Sequence, residues 1–282
     1  MITRITEEEL IRQAIDLAVR TRRQIEAAGL HITDFERIAE LFRVTVLFVE
    51  RPEGEDGAYL DDLRQIVIST KVKNEERINF TFLHELMHSL IQDDPDLLSA
   101  CHDVPGGFSD ELIERLCNKG AAEMLVPSEA LRQYGCSVAL IPTLCEQFSA
   151  SSLAVAFQMI NCATHSCYMF IAEKRLKVFD SAQLTFYETQ SNGGWHLWVT
   201  YSASSSATSY KMGRNYAVSP GHIMYKALAE LGKPINGRDD IPRRNTKPWI
   251  ADCECLAYNG WVFTLFHVSH PISSAQLKLF GE

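Results

Sequence analysis

Asn79-Phe80-Thr81-Phe82-Leu83-His84-Glu85-Leu86-Met87-His88-Ser89-Leu90 is the stretch on which the reading of this chain turns. In a helix, residues four apart share a face, so the imidazoles of His84 and His88 can grip one metal ion. Glu85, directly after the first histidine, then sits beside that metal, where a carboxylate can take a proton from bound water.

The surroundings favour a helix. Glu75 to Leu90 contains no proline or glycine, and Phe80, Leu83, Met87 and Leu90 recur at steps of three and four. Phe82 and Leu86 widen this apolar stripe, so the helix should be largely buried. Two histidines and a glutamate in a buried helix are costly without partners, and a metal is a natural one. The pattern His-Glu-x-x-His on a helix is the signature of zinc peptidases.

A catalytic zinc keeps three protein ligands and one open position, so one ligand is still needed. The run Ser109-Asp110-Glu111-Leu112-Ile113-Glu114-Arg115-Leu116-Cys117-Asn118-Lys119-Gly120-Ala121-Ala122-Glu123-Met124-Leu125-Val126-Pro127 reads as a second helix, capped by Ser109 and closed by Pro127. Glu114 can complete the site. Asn118, one turn on, can hydrogen-bond a ligand histidine from behind. Glu111 and Glu123 compete for the same role. The small residues Gly120, Ala121 and Ala122 would let this helix approach the first closely.

The string from His84 to Pro127 resembles the ImmA/IrrE family of bacterial metallopeptidases. That family pairs the His-Glu-x-x-His helix with a later Glu-x-x-Ala-Asn-x-Phe-Ala-Ala-x-x-Leu-Met-Pro segment. Here Cys117, Gly120 and Val126 depart from it, all at packing positions. Upstream, Ile38 to Phe42 leads into a strand Val44–Val49, and Gln65–Ser69 forms another just before the metal helix. The resemblance implies His84, His88 and Glu114 as ligands of one Zn2+ per chain, Glu85 as the catalytic base and Asn118 as support. It also implies an endopeptidase that cuts a helix-turn-helix transcriptional repressor, derepressing stress, mobile-element or phage-related genes. Sequestration of a repressor without cleavage is an alternative, as is cleavage of an antitoxin or a phage protein. His102 and Tyr59 are conceivable stabilisers of the oxyanion.

The expected fold class is α+β, in three parts. Residues 1–135 would be the zincin-like peptidase domain, opened by a helix over Thr6–Ala28 with Leu10, Ala14, Leu17 and Ile25 inside. Residues 136–164 would be a helix-turn-helix-like connector, from helices Val138–Gln147 and Ser151–Asn161. Residues 165–282 would form a C-terminal α+β sensor domain, similar in element order to a GAF domain. Its expected strands are Cys167–Ala172, Leu176–Asp180, Trp195–Tyr201, Ala251–Tyr258 and Trp261–His267, with a helix over Pro220–Leu231 capped by Ser219 and ended by Gly232. Asn192-Gly193-Gly194 and Asn259-Gly260 read as turns, the latter a hairpin. Ser202 to Ser209 reads as a loop.

Composition narrows the function classes. At 46% hydrophobic and 22% charged, with no signal-peptide pattern at Met1–Glu7 and no run near the ~20 apolar residues of a membrane span, the expectation is a cytoplasmic chain without a membrane partner. The net charge of −9 argues against direct nucleic-acid binding, although Arg238, Arg243, Arg244 and Lys247 form a basic loop cluster. The eight cysteines read mostly as small buried hydrophobes. A second metal site from Cys162, His165, Cys167, Cys253 and Cys255 is the sharper alternative, with spacings unlike common structural zinc sites. His222, His267 and His270 lack paired spacing and read as ordinary histidines.

Overall fold

The structure is a computed structural model that describes residues 5–104, 107–176, 195–208, 210–242 and 249–268. It divides into two compact units, one of residues up to Pro127 with Glu146–Ser151, the other of Ser128–Cys145 with the residues from Ser152 onward.

The first unit opens with helix α1 (Glu7–Ala27), whose Thr6 forms a capping box with Glu9. Leu10, Ala14, Ala18, Thr21 and Ile25 are its buried residues. Leu17 is only half-buried, because the inward face advances in steps of four and three from Leu10 and reaches Ala18 instead. After α2 (Phe35–Leu41) come β1 (Thr45–Val49), β2 (Gly57–Leu60) and β3 (Gln65–Ser69). β3 lies centrally, parallel to β1 and antiparallel to β2, so β2 is an edge. Helix α3 (Glu75–Gln92) is capped by Asn74, and α4 (Pro95–Asp103) by Asp94 with Pro95 in its first turn. Helix α5 (Asp110–Leu125) begins at Ser109, whose hydroxyl accepts from the Leu112 N–H at 3.2 Å.

The α3–α5 contact builds the core of this unit. Phe82, Leu83, Leu86 and Met87 of α3, with Leu116, Cys117, Ala121 and Met124 of α5, are fully buried. Gly120 faces Met87 so closely that an added Cβ would lie 2.6 Å from its Sδ. Any larger residue at this position would require the Met87 side chain to move aside. Arg22 of α1 donates to the Met124 carbonyl, satisfying an acceptor that the end of α5 leaves free. Asn79, buried in α3, donates to the Ser149 carbonyl at 2.8 Å.

The second unit holds α6 (Ser128–Tyr134), α7 (Ile141–Phe148, shared with the first unit), α8 (Ser152–Cys162) and a six-stranded antiparallel sheet. Its strands are β4 (Cys167–Leu176), β5 (Trp195–Ser204), β6 (Tyr216–Ala217), β7 (Ile235–Asp240), β8 (Ile250–Tyr258) and β9 (Trp261–His267), in spatial order β6-β5-β4-β9-β8-β7. Helix α9 (Ile223–Ala229) packs on β7, β8 and β9, over a core that includes Tyr168, Phe170, Val199, Cys253, Cys255 and Phe266. Asn259 and Gly260, at φ 49° and 80°, make the tight hairpin between β8 and β9. No single helix among the described residues is long and apolar enough to cross a membrane.

Several expectations need adjustment. The helix expected over Pro220–Leu231 is shorter, because Gly221 at φ 87° bends the chain and His222 becomes the cap. β4 reaches Leu176, so Leu176 lies in the same strand as Cys167–Ala172 instead of opening a new one; 177–180, Asn192-Gly193-Gly194, Arg243, Arg244, Lys247 and His270 lie outside the described residues. Ser202 to Ser204 belong to β5, and Ser205 is buried with its hydroxyl donating to the His165 carbonyl at 2.8 Å. Small hydroxyls let the strand continue where a loop was expected. Arg238 lies in β7, paired with Asp252 at 3.0 Å.

The close approach of α5 to α3 yields a stability prediction. Gly120→Val should lower unfolding free energy by about 1–3 kcal/mol in urea titration, because the branched side chain must displace Met87. An unchanged midpoint would contradict the packing described.

Candidate metal centre

Helix periodicity brings His84 and His88 to one face of α3, their Nε2 atoms 3.2 Å apart. From α5, Glu114 reaches both: Oε2 lies 3.2 Å from His84 Nε2, and Oε1 lies 3.3 Å from His88 Nε2. Among the described residues, this is the group of three or more His, Cys, Asp or Glu whose donor atoms gather closely enough to hold a metal ion. Glu111, on the exposed face of α5, is outside it. Glu123 is buried and also outside it, as its position half a turn away from Glu114 requires.

The electrostatics suit a cation. Burial lowers the pKa of both histidines, and His84 lowers His88 further, so both favour the neutral form that a metal ligand needs. Two neutral Nε2 atoms facing each other and a carboxylate share one proton between a single pair at best. A divalent ion satisfies all three. Donors 3.2–3.3 Å apart are also the edge lengths of a tetrahedron whose centre is about 2 Å from each corner, which matches zinc with nitrogen and oxygen ligands. Asn118 faces the cleft beside His84 and favours its charged form through its amide. The His84 Nδ1 atom itself is buried with no hydrogen-bond partner, so the amide does not satisfy that nitrogen.

Glu85 lines the same cleft as the three donors and is only 7% exposed. Burial, then the nearby Glu114 charge, pushes its pKa up to about 7, while the Tyr59 main-chain N–H donates to the carboxylate and opposes the rise. Gly57 makes this neighbourhood possible. A Cβ there would lie 2.6 Å from Thr81 Cγ2 and 3.2 Å from Glu85 Cγ, so only glycine lets β2 pass so near α3. The cleft above these groups has a volume of about 530 Å3 and is bordered by residues 54–59, Phe80, Thr81 and the donor residues. Arg77 clamps the 54–59 segment through Asp56, one of the two contacts being 2.8 Å.

The profile of the IrrE N-terminal-like domain matches residues 46–159. Residues 46–159 therefore carry an IrrE N-terminal-like domain, as the ImmA/IrrE resemblance leads one to expect. The match begins at β1 and takes in all four of His84, Glu85, His88 and Glu114. The Radiation response metalloprotease IrrE of Deinococcus deserti is 32% identical over 184 residues, which is 63% of this chain and 59% of that protein. The protein of the same name from Deinococcus radiodurans is 30% identical over 109 residues, 37% of this chain and 33% of that protein. The chain therefore spans less than two thirds of both relatives. A Mycobacterium tuberculosis transcriptional regulator shares the fold at a TM-score of 0.56 and 17% identity, over 94% of this chain and 82% of that one.

The family's aromatic and methionine positions are here Gly120 and Val126, both buried, and Cys117 is buried beneath the cleft. Burial raises the Cys117 thiol far above its usual range, which keeps it an inert packing group. The alternative metal site from cysteines does not assemble. Cys253 and Cys255 point into the α9-covered core, whereas Cys167, opposite His267 on β9, lies on the other face of the sheet. Of the two residues considered for the oxyanion, Tyr59 lines the main cleft and its hydroxyl is buried without a partner. His102 instead stacks on Phe108, ring centroids 4.8 Å apart, beside a smaller cavity. The edge strand β2 was not foreseen; Gly57-Ala58-Tyr59-Leu60 carries too short an alternation to announce it.

Zinc titration should saturate at one ion per chain. Glu114→Ala should weaken binding more than about hundredfold and Glu111→Ala should leave it unchanged, with competition by a chelator as the readout.

Proposed function

We propose that this chain is a zinc-dependent endopeptidase that cuts a regulatory protein, foremost a helix-turn-helix transcriptional repressor, and thereby derepresses stress, mobile-element or phage-related genes. The observation that carries the reading is a buried carboxyl, Glu85, adjoining a three-donor cluster in an open cleft. His84, His88 and Glu114 would hold one Zn2+, and Asn118 would steady His84. The metalloprotease named among the relatives supports the same reading. In the division we propose, residues 1–135 carry the peptidase, 136–164 connect, and 165–282 form a control domain.

The metal, when bound, supplies Lewis acidity toward the substrate carbonyl and the attacking water. The chain's own residues do the rest. Glu85 takes the proton of the attacking water and returns it to the leaving amine, the two halves of general acid–base work. Its burial suits this role, since a carboxyl poised near neutrality can both accept and release a proton. The Tyr59 N–H keeps the carboxylate aimed. Strand β2 offers an edge, pairing with β3 on one side and bordering the cleft on the other. An extended peptide can add to such an edge by main-chain hydrogen bonds, which position a scissile bond with little regard to its side chains.

Incubating the zinc-loaded chain with a helix-turn-helix repressor from the same genome should, for its cognate target, yield two fragments. Glu85→Gln should abolish cleavage, by at least about 100-fold, while retaining bound zinc. A complex without fragments from the wild-type chain would instead favour sequestration. Normal cleavage by Glu85→Gln would remove Glu85 from the chemistry.

A further inference from the structure

A second cavity, of about 340 Å3, shares His88 with the main cleft. We propose that it is the specificity pocket of the site and takes the large apolar side chain of the substrate residue adjoining the scissile bond. This inference rests on the peptidase reading above and adds the class of sequence that is cut.

The pocket is built from the same two helices that carry the donors. Ile91 follows His88 by three positions on α3, so both point to one side. Ile113 immediately precedes Glu114 on α5. Leu98 and His102, four apart on α4, close the far wall, and Phe108 closes it before α5 begins. His88 lines both this pocket and the main cleft, so the pocket adjoins the donor cluster at one of its own residues. A side chain entering it belongs to a residue held at the reacting carbonyl.

The lining selects the occupant. Ile91, Leu98, Phe108 and Ile113 present apolar surface beside the polar but uncharged Gln92, and among the described residues no Lys, Arg, Asp or Glu lines the cavity. Phe108 is 42% exposed although its ring stacks on His102, so apolar surface there is left open to be covered. An entering Lys, Arg, Asp or Glu would lose hydration without finding a charged partner. Leucine, methionine, phenylalanine and tyrosine gain by burial. The size is at the lower end of ligand sites, suited to one side chain rather than a longer segment.

Hydroxamates bind zinc and carry a side chain beside it, so they probe the pocket without cleavage. On the zinc-loaded chain, isothermal titration should show 2-isobutyl and 2-benzyl hydroxamates binding about ten- to hundredfold tighter than acetohydroxamate. Ile113→Phe and, separately, Leu98→Phe should cut that advantage below about threefold while leaving acetohydroxamate affinity unchanged. These residues come from different helices, so a folding defect in one variant, read by thermal melting, leaves the other to decide. Equal affinity of all three probes for the wild-type chain, or an advantage that survives both substitutions, would overturn the proposal. If the advantage holds and both substitutions remove it, yet wild type cuts no peptide with leucine or phenylalanine beside the bond, the peptidase reading fails and the side-chain pocket stands.

Discussion

The approach of α5 to α3 is the constraint on which the rest of the first unit depends. Two donors come from one helix and one from the other, so the helices must meet with a tolerance of a few tenths of an ångström for all three to converge. Ser109 fixes where α5 begins, Arg22 secures where it ends, and Gly120 against Met87 sets how close it comes. Each is a local feature of the sequence, and together they turn Glu114, otherwise a half-exposed helix glutamate, into the third corner of a site. Pre-organisation of this kind is what a metal centre demands of its scaffold.

The same packing has a destabilising side. Glu85 is buried although a carboxylate prefers water, and its raised pKa measures that preference. Two neutral imidazoles and a carboxylate face one another. Proteins commonly hold such strained polar groups at functional sites, supported by surrounding structure. Here the support is the Gly57 crossing of β2 over α3, which also makes β2 an edge facing the cleft. One short strand thus packs against Glu85 and borders the cleft.

Much of this was legible in the sequence. Both helices of the site announced themselves by periodicity, and the second also by its cap Ser109, whose hydrogen bond the structure contains. The strand before α3 and the Asn259-Gly260 hairpin were equally plain. What escaped were short elements with weak alternation. β2 is four residues long and contains the glycine that its crossing requires, so it looks like loop. α4 is marked by Asp94-Pro95, a cap-and-first-turn pair, but its apolar face is brief. β7 carries Asn236, Gly237, Arg238 and Asp239 and has no strand composition; Gly237 is there because Ile223 of α9 lies over it. The second pocket could not have been foreseen, since its walls come from three helices and from Phe108, two residues ahead of one of them. Spacing along the chain does not encode that meeting.

The claim at the centre of this account is that two histidines and one glutamate, and none of eight cysteines, hold the metal. X-ray absorption at the zinc edge of the loaded chain tests it most directly. The account predicts a first shell of nitrogen and oxygen alone at about 2.0–2.2 Å, with imidazole scattering from two rings and loss of one oxygen contribution in Glu114→Ala. A sulfur shell at about 2.3 Å would contradict it and move the metal to the thiols.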